Sequence, residues 1–562
     1  MKIIFAAINA KFPHTNIAVR YFNALCKGIT SLSTNYVEYT INNTRDTILQ
    51  GLMESEADVI SFSCYIWNIG IVLDICQCIK QVSPNTIIIL GGPEVSFYDS
   101  IDNLHCDYLI KGEGEREMLK LLTSILNNQP TEKICKSSSP FDMNLLPFPY
   151  ENELPKLQNR TLYYEASRGC PFKCSYCLSG SEHGVRFKDI ETIKSELKIF
   201  IDAKVRQVKF VDRTFNCNKK ICTEIWQFIK DNYNGITNFH FEISADLLDE
   251  NMMNILSDMP KGLVQLEVGV QSTNPKTLES IHRTSDLSKL FDRVDRINSH
   301  ENVHLHLDLI IGLPFEDYNT FKFSFNDVYS HNPQQLQLGV LKLLKGSSLY
   351  STYSNYDMRF RHYPPYEVLS TDVLPYTDMI KLKKIEEVVE LFYNSGRFES
   401  IIKFMEKKFP SPFDFYQNLG NLYFKNSHHL TPLSKEGQFN FLKDFYQENF
   451  GEIPDVFKDL CRFDIIRHEK PKKVPEWALI KSQISRLDML NFLLDSDNIH
   501  KYLKQYSEIQ PKDILSGIHI EEFDYDITAP EYPLEKTVIL FDYNEKSILG
   551  RAKQFKIQWL PR

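Results

Sequence analysis

Tyr163-Tyr164-Glu165-Ala166-Ser167-Arg168-Gly169-Cys170-Pro171-Phe172-Lys173-Cys174-Ser175-Tyr176-Cys177 begins as a strand-forming run and passes into three cysteines spaced Cys-x3-Cys-x2-Cys. Three soft thiolates in so short a loop suit three irons of a cubane [4Fe–4S] cluster. No fourth cysteine follows locally, so the fourth iron is left open to an exogenous chelator. A structural zinc site needs four ligands, usually as separated pairs, and this run is one short. A disulfide staple is disfavoured further. Met1-Lys2-Ile3-Ile4-Phe5 enters a strand-like segment without a signal-peptide pattern, and no apolar stretch approaches ~20 residues. That reading expects a reducing, cytoplasmic setting and no membrane span.

Upstream, residues 2 to 8, 58 to 63, 86 to 90 and 107 to 110 are short apolar runs separated by helical patterns. They predict buried parallel strands with helical crossovers, a doubly wound α/β domain. Each run ends in small or polar residues: Asn9-Ala10-Lys11, Cys64-Tyr65, Gly91-Gly92-Pro93-Glu94 and Lys111-Gly112-Glu113-Gly114-Glu115. Ligands of open α/β sheets bind at such carboxyl ends. No Gly-x-Gly-x-x-Gly opens a helix, which disfavours a dinucleotide.

Downstream, strand candidates at 161–166, 206–211, 238–243, 264–270, 303–311 and 335–343 alternate with helical patterns, consistent with a partial (β/α)6 barrel. Lys136-Ser137-Ser138-Ser139-Pro140 and Leu146-Pro147-Phe148-Pro149-Tyr150 punctuate the join between the two units. His304, His306 and Asp308 share one face of their strand, where they are either cavity groups or interior hydrogen-bonding partners.

The cysteine run, followed in order by Phe210-Val211-Asp212-Arg213-Thr214-Phe215-Asn216, Glu267-Val268-Gly269-Val270-Gln271-Ser272, Asp308-Leu309-Ile310-Ile311-Gly312-Leu313-Pro314-Phe315-Glu316 and Leu341-Lys342-Leu343-Leu344-Lys345-Gly346, resembles the radical S-adenosylmethionine (SAM) superfamily. Asn9 to Asn16, Ser61 to Asn68, Gly91 to Glu94 and Gly112 to Glu115 resemble the cobalamin-binding domain of cobalamin-dependent radical SAM proteins. The resemblance implies a [4Fe–4S] cluster on Cys170, Cys174 and Cys177, with SAM on its open iron. It implies SAM contacts from Tyr176, Asp212, Glu267, Gln271, Ser272, Arg283, Ile310 and Gly312. Arg283 suits the SAM carboxylate because guanidinium binds carboxylate bidentately. Cobalamin contacts are implied at Asn9, His14, Ser63, Tyr65, Gly91, Gly92, Glu94, Gly112 and Glu113. Cobalamin domains that donate a histidine to cobalt carry Asp-x-His-x-x-Gly, whereas His14 follows Phe12 by two residues and precedes Ile17 by three. The expectation is a cobalamin with no protein imidazole below it.

The expected organisation is a Rossmann-like cobalamin-binding domain over 1–135, a linker over 136–160, a radical SAM core over 161–360, and a C-terminal domain over 361–562. That last part is mostly helical with terminal strands near 537–543 and 555–560, and resembles an uncharacterised domain appended to some cobalamin-binding radical SAM proteins. The 562-residue length suggests roughly three or four domains. A charged share of 24% and a net charge of −9 disfavour a nucleic-acid partner. The one basic run, Arg467 to Lys473, contains proline and reads as a solvated linker. Cys76 and Cys78 point apart on a helix, and Cys26, Cys64, Cys106, Cys135, Cys217, Cys222 and Cys461 read as buried small apolar residues.

Together these imply a cobalamin-dependent methyltransferase acting on an unactivated carbon through a 5′-deoxyadenosyl radical and methylcobalamin, fed by an external electron donor such as flavodoxin or ferredoxin. No side chain is assigned as a general acid or base. The alternatives are a radical SAM cyclase or rearrangement enzyme, a tRNA methylthiotransferase, and a non-enzymatic cobalamin or redox sensor.

Overall fold

A computed structural model describes residues 1–151, 153–181, 184–470, 474–479, 484–547 and 550–559. The chain forms two compact units, one of Met1–Val303, Gly312–Asp317 and Val340–Pro375, the other of His304–Ile311, Tyr318–Gly339 and Tyr376–Arg562.

The first unit opens with six parallel strands: β1 (Lys2–Asn9), β2 (Ser33–Thr40), β3 (Val59–Ser63), β4 (Ile87–Gly91), β5 (Tyr108–Lys111) and β6 (Ile134–Lys136), in the order β2-β1-β3-β4-β5-β6. Helices α1 (Ile17–Cys26), α2 (Arg45–Met53), α3 (Ile69–Val82) and α4 (Glu115–Leu126) follow β1, β2, β3 and β5, with only the short turn Val95–Phe97 between β4 and β5. Two cores flank the sheet. Ile4, Ile60, Phe62 and Leu90 pack with α2 and α3 on one side, and Ile3, Phe5, Ile89 and Ile110 pack with α1 and α4 on the other. The doubly wound expectation therefore holds, with two strands added. β2 is an edge strand of alternating exposure and β6 is three residues long, so neither shows a continuous apolar run. The strand order reverses between β1 and β3, where doubly wound sheets open a crevice at their carboxyl ends.

A second parallel sheet in this unit contains β7 (Thr161–Tyr164), and after the short antiparallel pair β8 (Ser167–Arg168) and β9 (Arg186–Phe187) come β10 (Gln207–Phe210), β11 (Asn238–Ile243) and β12 (Val264–Gln271). Burial alternates along β12, with Val264, Leu266, Val268 and Val270 buried against helices and Gln265, Glu267, Gly269 and Gln271 on the opposite face. Strands 303–311 and 335–343 of the sequence reading appear as His304–Ile311 and Gln335–Val340, all but Val340 in the second unit.

Beyond residue 375 the second unit is mainly helical and ends in an antiparallel sheet of Ile518–Phe523, Thr537–Lys546 and Ala552–Ile557. The end of the strand expected at 555–560 lies outside the described residues. The linker reading of the basic run is corrected at its start. Arg467 caps the helix Asp455–Ile466 and is buried, paired with Asp464 at 3.1 Å and Glu399 at 3.1 Å. Residues 471–473 are not described. Cys106 and Cys217 are half-buried, while Cys26, Cys64, Cys135, Cys222 and Cys461 are buried as expected. No described helix is long and apolar enough to cross a membrane.

Candidate functional site

The three-cysteine loop leaves β8 through Gly169, whose φ of +98° and whose approach to the Gly184 carbonyl exclude a side chain: a Cβ there would lie 2.1 Å from that oxygen. Beyond it, the loop is pinned on both sides of Ser175. The Ser175 N–H donates to the Ile281 carbonyl at 2.9 Å, and the Ser175 carbonyl accepts from the Leu349 N–H at 2.8 Å and the Ser348 hydroxyl at 3.2 Å. Cys174 is buried and Cys170 and Cys177 are half-buried. Burial pushes the Cys174 thiol up, and the Arg283 guanidinium opposes this. Among the described residues no three His, Cys, Asp or Glu side chains are drawn together around a single metal-ion position. Each cysteine of a cubane serves its own iron, so a one-ion geometry is not required of them.

Arg283 stands beside this loop. Its Nη1 lies 3.8 Å from Cys174 Sγ and its Nη2 donates to the Gly269 carbonyl, while its Nε is buried without a hydrogen-bond partner. Gln271 folds back over the same strand with φ +73°, and a Cβ on Gly269 would fall 2.0 Å from Gln271 Nε2. Gly269 therefore makes room for Gln271 and Arg283 together. Ser272 is fully buried, donates to Glu316 at 2.5 Å and accepts from the Asn274 N–H at 3.0 Å. Gly312 takes φ +92° and is buried. Ile310 is half-buried on the strand His304–Ile311 of the second unit, with Asp308 on the same face. On that strand His306 Nε2 and His304 Nδ1 are 2.9 Å apart, a side-chain hydrogen bond within the unit.

Two carboxylates expected at the SAM pocket are engaged within the protein. Asp212 accepts from the Ala166 N–H at 3.1 Å and from the Ser167 hydroxyl, bracing the entry to the cysteine loop. Burial raises its pKa to about 7, against the pull of those two donors. Glu267 accepts from His240 at 2.9 Å and Lys209 at 3.1 Å. Burial opposes its ionisation, but the His240 and Lys209 partners outweigh it and hold the carboxyl at about 2. Lys209, His240 and Glu242 escaped the sequence reading. Their only signal was a polar residue at alternate positions of strands β10 and β11. With Tyr163 of β7 they make the sheet's inner face polar: Lys209 pairs in register with Tyr163 and His240, and Glu242 with Glu267.

At the carboxyl ends of the first sheet, Tyr65 and Trp67 stack 4.3 Å apart at 10°, a flat aromatic shelf beside the β1/β3 switch. Trp67 is 42% exposed, and its Nε1 donates to the Ile8 carbonyl at 3.1 Å. Ser63, the last residue of β3, is buried two residues before Tyr65. Gly92 has φ +113°, and a Cβ there would lie 2.6 Å from the Cys64 carbonyl oxygen, so the β3 and β4 ends approach closely only with glycine. Gly91, which ends β4, has no such restriction. Asn9 donates to the His14 carbonyl at 3.0 Å and to Glu38 at 3.3 Å. His14 Nδ1 lies 2.8 Å from the Tyr163 hydroxyl. Burial, helped by Lys11, Lys209 and Arg160, lowers the His14 pKa. The acids at these loops already have partners. Glu94 accepts from the Tyr98 hydroxyl at 3.0 Å and from Tyr366, and Glu113 accepts from the Phe141 N–H at 2.7 Å and from Arg186. Gly112 donates its N–H to Ser96 at 3.1 Å. The largest omission of the sequence reading is Arg168, which lies inside the quoted stretch and joins Glu113, Glu115 and Glu165.

Comparisons with known proteins agree with this arrangement. Residues 3–122 match the model of the B12 binding domain, 164–328 that of the radical SAM superfamily, and 354–541 that of a protein of unknown function, DUF4080. The chain is 23% identical over 316 residues to 2-(S-pantetheinyl)-carbapenam-3-carboxylate methyltransferase of Streptantibioticus cattleyicolor, covering 48% of this chain and 44% of that protein. It is 24% identical over 339 residues to the cobalamin-dependent radical SAM methyltransferase TokK of Streptomyces tokunonensis, covering 52% and 48%. The chain thus spans about half the length of these curated relatives. Among solved structures, the cobalamin-dependent SAM radical enzyme OxsB with aqua-cobalamin and SAM bound superimposes with a TM-score of 0.57 at 13% identity, over 91% of this chain and 84% of that one, a likeness of fold.

Proposed function

We propose that this chain, which carries a B12 binding domain, a radical SAM domain and a DUF4080 domain, is a cobalamin-dependent radical SAM enzyme that methylates an unactivated carbon. The observation that carries the proposal is the cysteine loop pinned at Ser175, with the Arg283 guanidinium against Cys174 and its Nε unpartnered, in the same compact unit as the doubly wound sheet. When bound, the cluster with SAM supplies hydrogen-atom abstraction from carbon and cobalamin supplies the methyl group.

The chain's own residues hold and orient. Cys170, Cys174 and Cys177 hold three irons, and Arg283 offers its free Nε–H to the SAM carboxylate, a charge-assisted contact. The Tyr176 backbone, Gln271, Ser272 and Gly312 shape the nucleoside side. Tyr65 and Ser63, with Asn9, Gly91 and Gly92, line the corrin side, where the Tyr65–Trp67 shelf suits a flat macrocycle. The polar face of Lys209, His240, Glu242 and Glu267 suits a hydrogen-bonding substrate over a hydrocarbon. The domain limits proposed are 1–135, 136–160, 161–360 and 361–562. A flavodoxin or ferredoxin in a reducing cytoplasm supplies electrons.

Anaerobic reconstitution with iron, sulfide and cobalamin, then incubation of a cell extract with methyl-labelled SAM and reductant, tests this. The expected result is ~4 irons per chain, 5′-deoxyadenosine and S-adenosylhomocysteine formed together, and one labelled product, small-molecule or macromolecular. Iron near ~8 per chain favours the methylthiotransferase alternative, with its second cluster. 5′-Deoxyadenosine without S-adenosylhomocysteine favours cyclisation or rearrangement, and neither product favours a sensor.

A further inference from the structure

We propose that Arg168 is a positioning residue for the cluster loop, and that Glu113 and Glu115, which follow β5 of the first sheet, act on that loop through Arg168 and not on a corrin. The inference rests on the reading of Cys170, Cys174 and Cys177 as cluster ligands.

Arg168 lies two residues before Cys170, on β8, in register with Arg186 of β9. Its guanidinium is 13% exposed and meets three carboxylates: Glu115 at 2.5 Å, Glu165 at 2.9 Å and Glu113 at 3.5 Å. Glu115 is the first residue of α4, where the aligned peptide dipoles favour a negative charge, and it is buried. Glu113 is held in turn by Arg186 and by the Phe141 N–H, so the linker joins the same network. Both acids of the Gly112-Glu113-Gly114-Glu115 turn are thus spent on the cysteine-bearing segment.

Little slack separates this network from the cluster. One residue intervenes, Gly169, confined by its φ of +98° and by the Gly184 carbonyl. On the other side Ser167 and Ala166 are fastened to Asp212. A shift of the guanidinium therefore passes to Cys170 instead of being absorbed in a flexible turn. The planar fork of arginine, reaching several carboxylates in fixed directions, is what a lysine would lose. In this arrangement the α4 end of the cobalamin-side domain sets the pose of the cluster.

Full-length Arg168→Lys, Glu115→Gln and Glu113→Gln proteins, reconstituted with iron, sulfide and cobalamin, are titrated with SAM while the reduced cluster is followed by electron paramagnetic resonance. The expected result is wild-type iron and cobalamin content, roughly tenfold more SAM needed to convert the cluster signal in Arg168→Lys and Glu115→Gln, and excess 5′-deoxyadenosine per methyl transferred. Arg168→Met/Glu115→Gln, which removes the closest pair as a unit and leaves Glu113 on Arg186 and Glu165 without its cation, is expected to show the same displaced titration, with wild-type iron and cobalamin content as its control for folding. A wild-type SAM titration in Arg168→Lys and in the double variant overturns the proposal. So does a Glu113→Gln protein that loses cobalamin while its SAM titration stays normal. A wild-type cluster that ignores SAM instead sinks the reading beneath it.

Discussion

His14 Nδ1 and the Tyr163 hydroxyl lie 2.8 Å apart, so the loop after the first strand of one sheet is tied to the first strand of the other. The tie is reinforced by the backbone, since the Thr161 N–H donates to the Pro13 carbonyl at 2.7 Å and the Thr15 N–H to the Thr161 carbonyl at 3.3 Å. His14 is thereby committed to the neighbouring sheet.

His14 is therefore expected to leave cobalt without a protein nitrogen. Cob(II)alamin bound to the wild-type protein should lack nitrogen splitting in its electron paramagnetic resonance spectrum, and His14→Ala should retain cobalamin. Nitrogen splitting that disappears in His14→Ala would refute this.

Arg283→Lys keeps the positive charge but loses the fork that reaches both Gly269 and Cys174. Charged hydrogen bonds are worth about 1.5–3 kcal/mol, so SAM affinity should weaken by about ten- to a hundredfold. Equilibrium dialysis against the cluster-loaded protein measures it, with iron content as the control.

Gly169→Ala should cost about 2–4 kcal/mol, because a positive φ and a backbone clash are imposed together. Its thermal midpoint should fall and its iron content with it. Gly184→Ala, at a positive φ with open space around its Cβ position, should be milder.

Asp212 gives a pH signature. Its folded pKa of about 7 stands above the ~4 of an unfolded aspartate. The folded state then binds more protons between those values, so the unfolding free energy from this group falls as pH rises from about 4 to about 7 and is level beyond. Asp212→Asn should flatten that slope in denaturant titrations across the window.

In the second unit, Asp464 is buried and accepts from the Ser400 N–H at 3.0 Å, the Ile401 N–H at 3.0 Å and Arg467 at 3.1 Å. Asp464→Ala leaves a buried guanidinium and two amides short of a partner. A loss of about 3–5 kcal/mol is expected in chemical unfolding.

Strands β1, β3, β4 and β5 were legible because burial on both faces makes them nearly continuous apolar runs. β2 was not, because exposed Ser33 and Asn35 and the ion-paired Glu38 break the run. Cys170, Cys174 and Cys177 were legible because ligand spacing is local. Arg168 stood in plain view, but its partners did not: Glu115 lies 53 residues away, and no periodicity links the two.

By itself, the order of residues settled the chemistry on offer: three thiolates on one short loop, a series of polar strand ends, and glycines where backbones turn. Those are short-range properties, set by spacing and steric freedom. Tertiary structure alone decided which charges are spent. It gave Glu113, Asp212 and Glu267, which the sequence offered as ligand contacts, partners inside the protein, joined Glu115 to Arg168, and stacked Tyr65 on Trp67. Folding brings distant chain segments within hydrogen-bond reach, and a buried carboxylate takes the nearest donor that offsets its lost water.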